Sequence, residues 1–127
     1  MKKTVLVAIK KPNQPLEVRE IEDKLEVLQE IVEGYIEAIY PMENLEELSI
    51  TIFGNEEAKL NHLPSNFWLY EKKDCMCGTA LFFKDDEEGE MASLQPEDIQ
   101  EIEKYLEKNK MNIFEHEAMD KYIKENF

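Results

Sequence analysis

TVLVAIKKPNQPLEVREIEDKLEVLQEIVEG, residues 4–34, reads as two strands followed by one helix, and that order decides the fold class. Val5, Val7 and Ile9 share one face of the first strand, while Leu6 and Ala8 share the other. Apolar side chains on both faces are what an interior strand of a sheet needs. Lys11-Pro12-Asn13-Gln14-Pro15 is a turn, and Leu16 to Ile21 forms a second strand with Glu17, Arg19 and Glu20 partly in water. The helix then opens on Asp23, whose carboxylate can accept first-turn amide hydrogens, with Glu26 completing a capping-box pattern. Leu25, Leu28 and Val32, flanked by Val27 and Ile31, give the apolar stripe, and Gly34 offers a left-handed end. Glu20, Glu22, Glu30 and Glu33 fall on the wet side.

Working outward, Tyr35 to Tyr40 is a third strand ended by Pro41. Leu48, Ile50 and Ile52 alternate with Ser49 and Thr51 as a half-buried strand, and Gly54-Asn55-Glu56-Glu57 turns after it. Residues 58–74 carry no clean period and are read as a loop with one short helical turn. Thr79 to Lys84 is a strand, Asp85 to Gly89 a turn, and Glu90 to Leu94 its hairpin partner. Pro96 suits a first helical position, Glu97 and Asp98 suit the positive end of its dipole, and Ile99, Ile102 and Leu106 give the buried face. Asn112 with Glu115 starts a last short helix lined by Phe114, Ala118, Tyr122 and Ile123. Strands thus come in runs instead of alternating with helices. This implies an α+β single domain: a mostly antiparallel or mixed sheet of about six short strands, one helix between strands two and three, and two C-terminal helices.

The 127 residues fit one domain, 1–127, and the apolar fraction of 43% is enough for a core. No apolar run nears the ~20 residues that span a bilayer. The start Met1-Lys2-Lys3 mimics a signal peptide, but Lys10 and Lys11 end the apolar stretch and no small-residue cleavage site follows. A reducing cytoplasm is therefore the expected location. Twenty-nine acidic against fifteen basic residues give a net charge of −14, spread along the chain. That charge disfavours direct binding to nucleic acid or to an anionic membrane. Its plain meaning is solubility, and its sharper one is a surface that imitates the charge of DNA toward a basic host protein.

The order of several stretches resembles one family. They are Val18-Arg19-Glu20-Ile21, then Leu25 through Glu37, Asn55-Glu56-Glu57-Ala58-Lys59-Leu60 and Leu63-Pro64-Ser65-Asn66. Gly78-Thr79 entering an apolar strand, and Ser93-Leu94 before Glu97-Asp98-Ile99, continue the pattern. Together they are similar to the family catalogued as domain of unknown function 3846, over roughly residues 3–108. The resemblance implies a small bacterial protein of the kind often encoded by phages, plasmids and other mobile elements. Ala58 stands where the family usually has Gly, and Met111 to Phe127 runs past the usual end, so residues 1–108 form the family-like core and 109–127 a helical extension. The resemblance brings no catalytic or binding residues to carry over.

Local chemistry offers few sites. Cys75-Met76-Cys77 on a strand would put both sulfurs on one face, but two thiolates are half a tetrahedral site. His62 and His116 would have to complete it, and their spacing matches no zinc knuckle, so the thiols are read as structural and no metal is assigned. An EF-hand loop with its glycine at Gly89 needs a carboxylate at position 84 and a glutamate at 95, where Lys84 and Gln95 stand. His116, between Glu115 and Glu117, reads as a surface histidine. No nucleophile–histidine pattern and no phosphate-cradling glycine loop is present, so no catalytic residue and no cofactor is expected. Phe67, Trp68 and Tyr70 either pin a loop to the core or anchor a partner, and core is the expectation. A non-enzymatic accessory protein that binds another protein is the expected function. A small enzyme or ligand-binding domain assembled from distant residues is the alternative.

Overall fold

A computed structural model describes residues 3–127; Met1 and Lys2, which open the signal-like start, lie outside them. The elements are β1 (Thr4–Lys10), β2 (Glu17–Glu22), α1 (Leu25–Val32), β3 (Ile36–Ile39), α2 (Glu43–Glu47), β4 (Ile50–Asn55), β5 (Ser65–Leu69), β6 (Asp74–Cys77), β7 (Ala80–Asp85), β8 (Met91–Ala92), α3 (Pro96–Lys108) and α4 (Ile113–Asn126). Six strands form one sheet in the order β2-β1-β7-β4-β3, with β8 paired to β7, and every pairing is antiparallel. This is the α+β class expected, with β1 inside the sheet as its two apolar faces require.

Alternation along β1 and β7 sorts the core into two layers. Val5, Val7, Ile9, Leu81 and Phe83 face α1, where they meet Leu28. Ala8, Ala80 and Phe82 face the opposite way, toward Ile102 and Tyr105 of α3 and toward Phe67, Leu69 and Met76 of a second, two-stranded sheet, β5-β6. The outer face of that hairpin carries Trp68, Cys75 and Cys77, and α4 covers it with Met119 and Ile123. The layers are therefore α1, the main sheet, the hairpin with α3, and α4.

Several local expectations need correction. Asp23 does not cap α1: Lys24 occupies the N-cap without a side-chain bond, and the Asp23 carboxylate lies 3.4 Å from Lys3 Nζ. The left-handed residue at the end of α1 is Glu33, at φ 63°, not Gly34. Gly34 is needed for closeness instead, because a Cβ there would sit 2.6 Å from Asn55 Nδ2. That amide donates to the Val32 and Glu33 carbonyls at 3.2 and 3.1 Å and so closes the helix from outside. Leu25, placed in the apolar stripe, is 53% exposed. Leu48 and Ser49 precede β4 at the exit of the short helix α2, which no periodicity announces, while Gly54 and Asn55 lie within β4 and not in a turn. Thr51 is buried because its hydroxyl donates to Asp85 at 2.8 Å.

Residues 58–74 are not a plain loop. They contain β5 and the start of β6, joined by a turn in which Tyr70, Glu71 and Lys72 all have positive φ, at 51°, 55° and 70°. No glycine marks this turn, and a left-handed L-residue costs roughly 1 kcal/mol. Glu71→Gly should therefore raise the unfolding free energy by up to about 1 kcal/mol, less what glycine gains in unfolded-chain freedom. Chemical denaturation measures it, and a destabilised variant would mean that the turn is not strained at Glu71.

The stripe expected on α4 points the wrong way. Phe114 is 77% exposed, Ala118 and Tyr122 are exposed too, and only Ile123 of the four is buried. Polar anchors select the docked face. Asp120 accepts the Ser65 N–H at 2.9 Å, His116 Nδ1 lies 2.8 Å from Ser65 Oγ, and Trp68 Nε1 donates to Glu115 at 3.2 Å. The start of α4 is as expected, with Asn112 and Glu115 exchanging side-chain-to-backbone bonds at 2.8 and 3.0 Å.

Candidate functional site

The sheet has two edges of different character. β2 ends one side with Glu17 and Arg19 in a two-pronged ion pair at 2.9 Å, and charge on an edge discourages further pairing. β3 ends the other side with Ile36-Glu37-Ala38-Ile39. The Glu56 N–H donates to the Tyr35 carbonyl at 2.8 Å. By the alternation of an antiparallel ladder, Glu37 and Ile39 then turn their backbone groups to β4, while Ile36 and Ala38 turn theirs outward.

Beside this open edge lies a groove of about 500 Å³, bounded by β3, the turn after β4 and the hairpin. Tyr40 and Leu60 stand at its rim, 65% and 61% exposed. Glu37 and Glu56 give it acidic walls, and Met76, Cys75 and Cys77 contribute to its floor. Gly54 lets the floor come close, since a Cβ there would meet Met76 Cε at 2.5 Å. Lys59 crosses the groove to Asp74 and also sits over the Phe127 ring, 5.8 Å from its centroid. Burial pulls the Lys59 ammonium down, but the hydrogen bond and charge of Asp74 outweigh it and leave the pKa raised. Burial raises the Tyr70 phenol, and the carboxylates of Asp74 and Glu37 push it further.

The candidates that stand out in the sequence separate in space. Cys75 and Cys77 do share one face of a strand, with their sulfurs 3.4 Å apart. Neither histidine joins them through the contacts it makes. His62 Nε2 is 2.7 Å from the Phe127 carbonyl oxygen, and His116 is half-buried against Ser65, not the free surface residue its neighbours suggest. Among the described residues no three His, Cys, Asp or Glu side chains gather as a metal set would. Asp86 works as a turn residue, accepting the N–H groups of Glu88 and Glu90 at 2.9 Å each. Phe67 is core, Trp68 lies half-buried under α4, and Tyr70 is half-buried beside the groove. No sequence pattern singles out Lys59, Asp74, Glu37 and Tyr40, whose only shared signal is their approach in the fold.

The family model described as Domain of unknown function (DUF3846) matches residues 1–107. The chain belongs to that family. No curated protein and no solved structure matches it. The DUF3846 match contains the open edge of β3, the groove walls and both cysteines, whereas α4, which covers the far side of the hairpin, lies beyond it. Among the described residues no helix is long and apolar enough to cross a membrane.

Proposed function

We propose that this DUF3846 protein is a non-enzymatic binding module that takes up an extended, basic segment of another protein. The segment would pair with the free edge of β3 and lay side chains into the acidic groove beside it. The open edge carries the reading, because unpaired N–H and C=O groups beside a groove are how a strand is added to a sheet. The sign of the partner follows from Glu37 and Glu56 on the groove walls and from the net charge of −14. In the mobile-element setting that the family resemblance implies, and in the reducing cytoplasm expected from the sequence, the partner would be a basic host protein. Within the broader class of proteins that bind another protein, a decoy whose own acidic surface fills the DNA-binding groove of such a protein is the most specific version.

The test is calorimetric titration with a peptide alternating lysine or arginine with apolar residues, beside a matched acidic peptide. Binding of the basic peptide alone is expected, weakening about tenfold or more between low salt and roughly 0.5 M salt. Ala38→Pro removes an outward N–H at an edge, where proline is tolerated, so it should abolish binding and leave the fold intact by circular dichroism. Equal binding by Ala38→Pro, or none by either peptide at low salt, would overturn the proposal.

A second reading, a ligand-binding or catalytic site built from residues distant in sequence, is favoured by the meeting of Lys59, Asp74 and two thiols in the same groove. Small molecules that perturb the amide signals of these residues without competing with the peptide would distinguish it.

A further inference from the structure

We propose that Cys75 and Cys77 are a redox-active dithiol that a small hydroperoxide, entering through the groove beside β3, closes to a disulfide. This stands apart from the peptide-binding reading and does not depend on it. It rests on three observations: the sulfurs are 3.4 Å apart, both residues line the groove, and Lys59 acts electrostatically on both.

The two thiols are chemically unequal. The hydrogen bond shared with Cys77 draws the Cys75 thiol down from its ordinary value against its burial, and Lys59 helps while Asp74 and Asp120 oppose. The same hydrogen bond pushes Cys77 up, with burial and the Cys75 charge adding to it. Either sulfur can donate the hydrogen bond they share at 3.4 Å; in the proposed reaction Cys75, the one whose pKa is drawn down, takes the nucleophilic role and Cys77 the resolving one. At 2% and 3% exposure, neither residue meets bulk solvent freely, so a bulky oxidant is excluded and the groove selects for size.

The steps balance. The Cys75 thiolate attacks one peroxide oxygen, forming an S–O bond as the O–O bond breaks, and the departing hydroxide takes a proton to become water. The Cys77 sulfur then attacks that sulfenic sulfur, forming the S–S bond as the S–O bond breaks, and the second hydroxide leaves with the Cys77 proton as water. Two thiols and one hydrogen peroxide give one disulfide and two waters. At ordinary strand rise the two Cα atoms stand about 6.7 Å apart, at the wide end of the ~4.4–6.8 Å a disulfide spans.

The purified full chain is treated with one equivalent of hydrogen peroxide, alkylated with N-ethylmaleimide in denaturant, and weighed by mass spectrometry. The expected product is a monomer lighter by two hydrogen atoms with no alkylation, which dithiothreitol returns to the doubly alkylated form. Cys77→Ser should stop at a sulfenic acid that dimedone traps on Cys75, and Cys75→Ser should lose its remaining thiol about tenfold more slowly than the native chain loses its pair. Lys59→Met, which leaves both thiols in place, should slow the native reaction severalfold. The proposal fails if both thiols remain alkylatable after peroxide, if the disulfide forms only between chains, or if Cys75→Ser reacts as fast as the native protein. Should a serine variant not fold, the native and Lys59→Met reactions decide the matter alone.

Discussion

Replacing Phe82 with alanine is expected to lower the unfolding free energy by about 3–5 kcal/mol, a large fraction of the ~5–15 kcal/mol that a folded domain holds. Phe82 is fully buried on β7, with paired strands on both sides and α3 and the hairpin above it. Its ring centroid lies 6.0 Å from that of Phe67 and 6.3 Å from that of Tyr105, the latter edge-on. Truncation removes the contact that joins the main sheet to the hairpin and α3, and the backbone around it cannot collapse because the ladders to β1 and β4 hold it open. Denaturant unfolding would show the loss as a lower midpoint at an unchanged slope. Phe114→Ala, removing a ring of the same size at 77% exposure, should stay within roughly 0.5 kcal/mol. A loss below about 1 kcal/mol at Phe82 would mean that the interlayer packing is wrong.

Asp98→Ala should cost about 3 kcal/mol, although aspartate at a helix start normally reads as a surface residue. Asp98 is wholly buried, yet its carboxylate is fully engaged. Lys84 Nζ of β7 donates to its two oxygens at 2.9 and 3.1 Å, and the Gln95 N–H donates to it at 2.7 Å. One side chain thus starts α3 and fastens it to the central strand. Alanine leaves a helix amide and a partly buried ammonium without their acceptor. Asp98→Asn, keeping shape and one acceptor, should lose about half as much. Adding Lys84→Met to Asp98→Ala should recover part of the deficit, because the stranded charge is removed with its partner. Thermal and denaturant melts of the native protein, the two single variants and the double variant form a double-mutant cycle, and strict additivity would deny the coupling.

What the sequence made legible was whatever follows one period. Both faces of β1, the Asn112–Glu115 start of α4 and Pro96 at the head of α3 were readable because local residues determine them. The β5-β6 hairpin was not readable, for identifiable reasons. Its register shifts between Ser65 and Phe67, and Asn66 is buried there because its amide donates to the Lys10 and Gly78 carbonyls, at 2.8 Å each. That polar residue breaks the alternation, and the Tyr70-Glu71-Lys72 turn carries none of the usual turn residues. The face of α4 was misread because Asp120, His116 and Glu115 dock it, and polar anchors leave no apolar stripe. The groove was invisible for a stronger reason. Glu37, Lys59 and Cys75 come from three separate stretches, and only the pairing of β3 with β4 and the fold-back of the hairpin bring them to one hollow.

The strand order also has a meaning in time. β7, which pairs with β1, β4 and β8, is among the last strands to be synthesised, and β1, its neighbour, is the first in the described residues. A growing chain can form the β1-β2 ladder and lay α1 on one side of it. Val5 and Val7 would then be partly covered, while the flank of β1 that later receives Leu81 and Phe82 stays bare. Until residues 80–85 are available the sheet has no centre, and the two halves it will join remain sticky fragments. A strand order of this kind favours late closure of the sheet, and the stretch before residues 80–85 join it is when the chain would be most exposed to proteases and to its own kind.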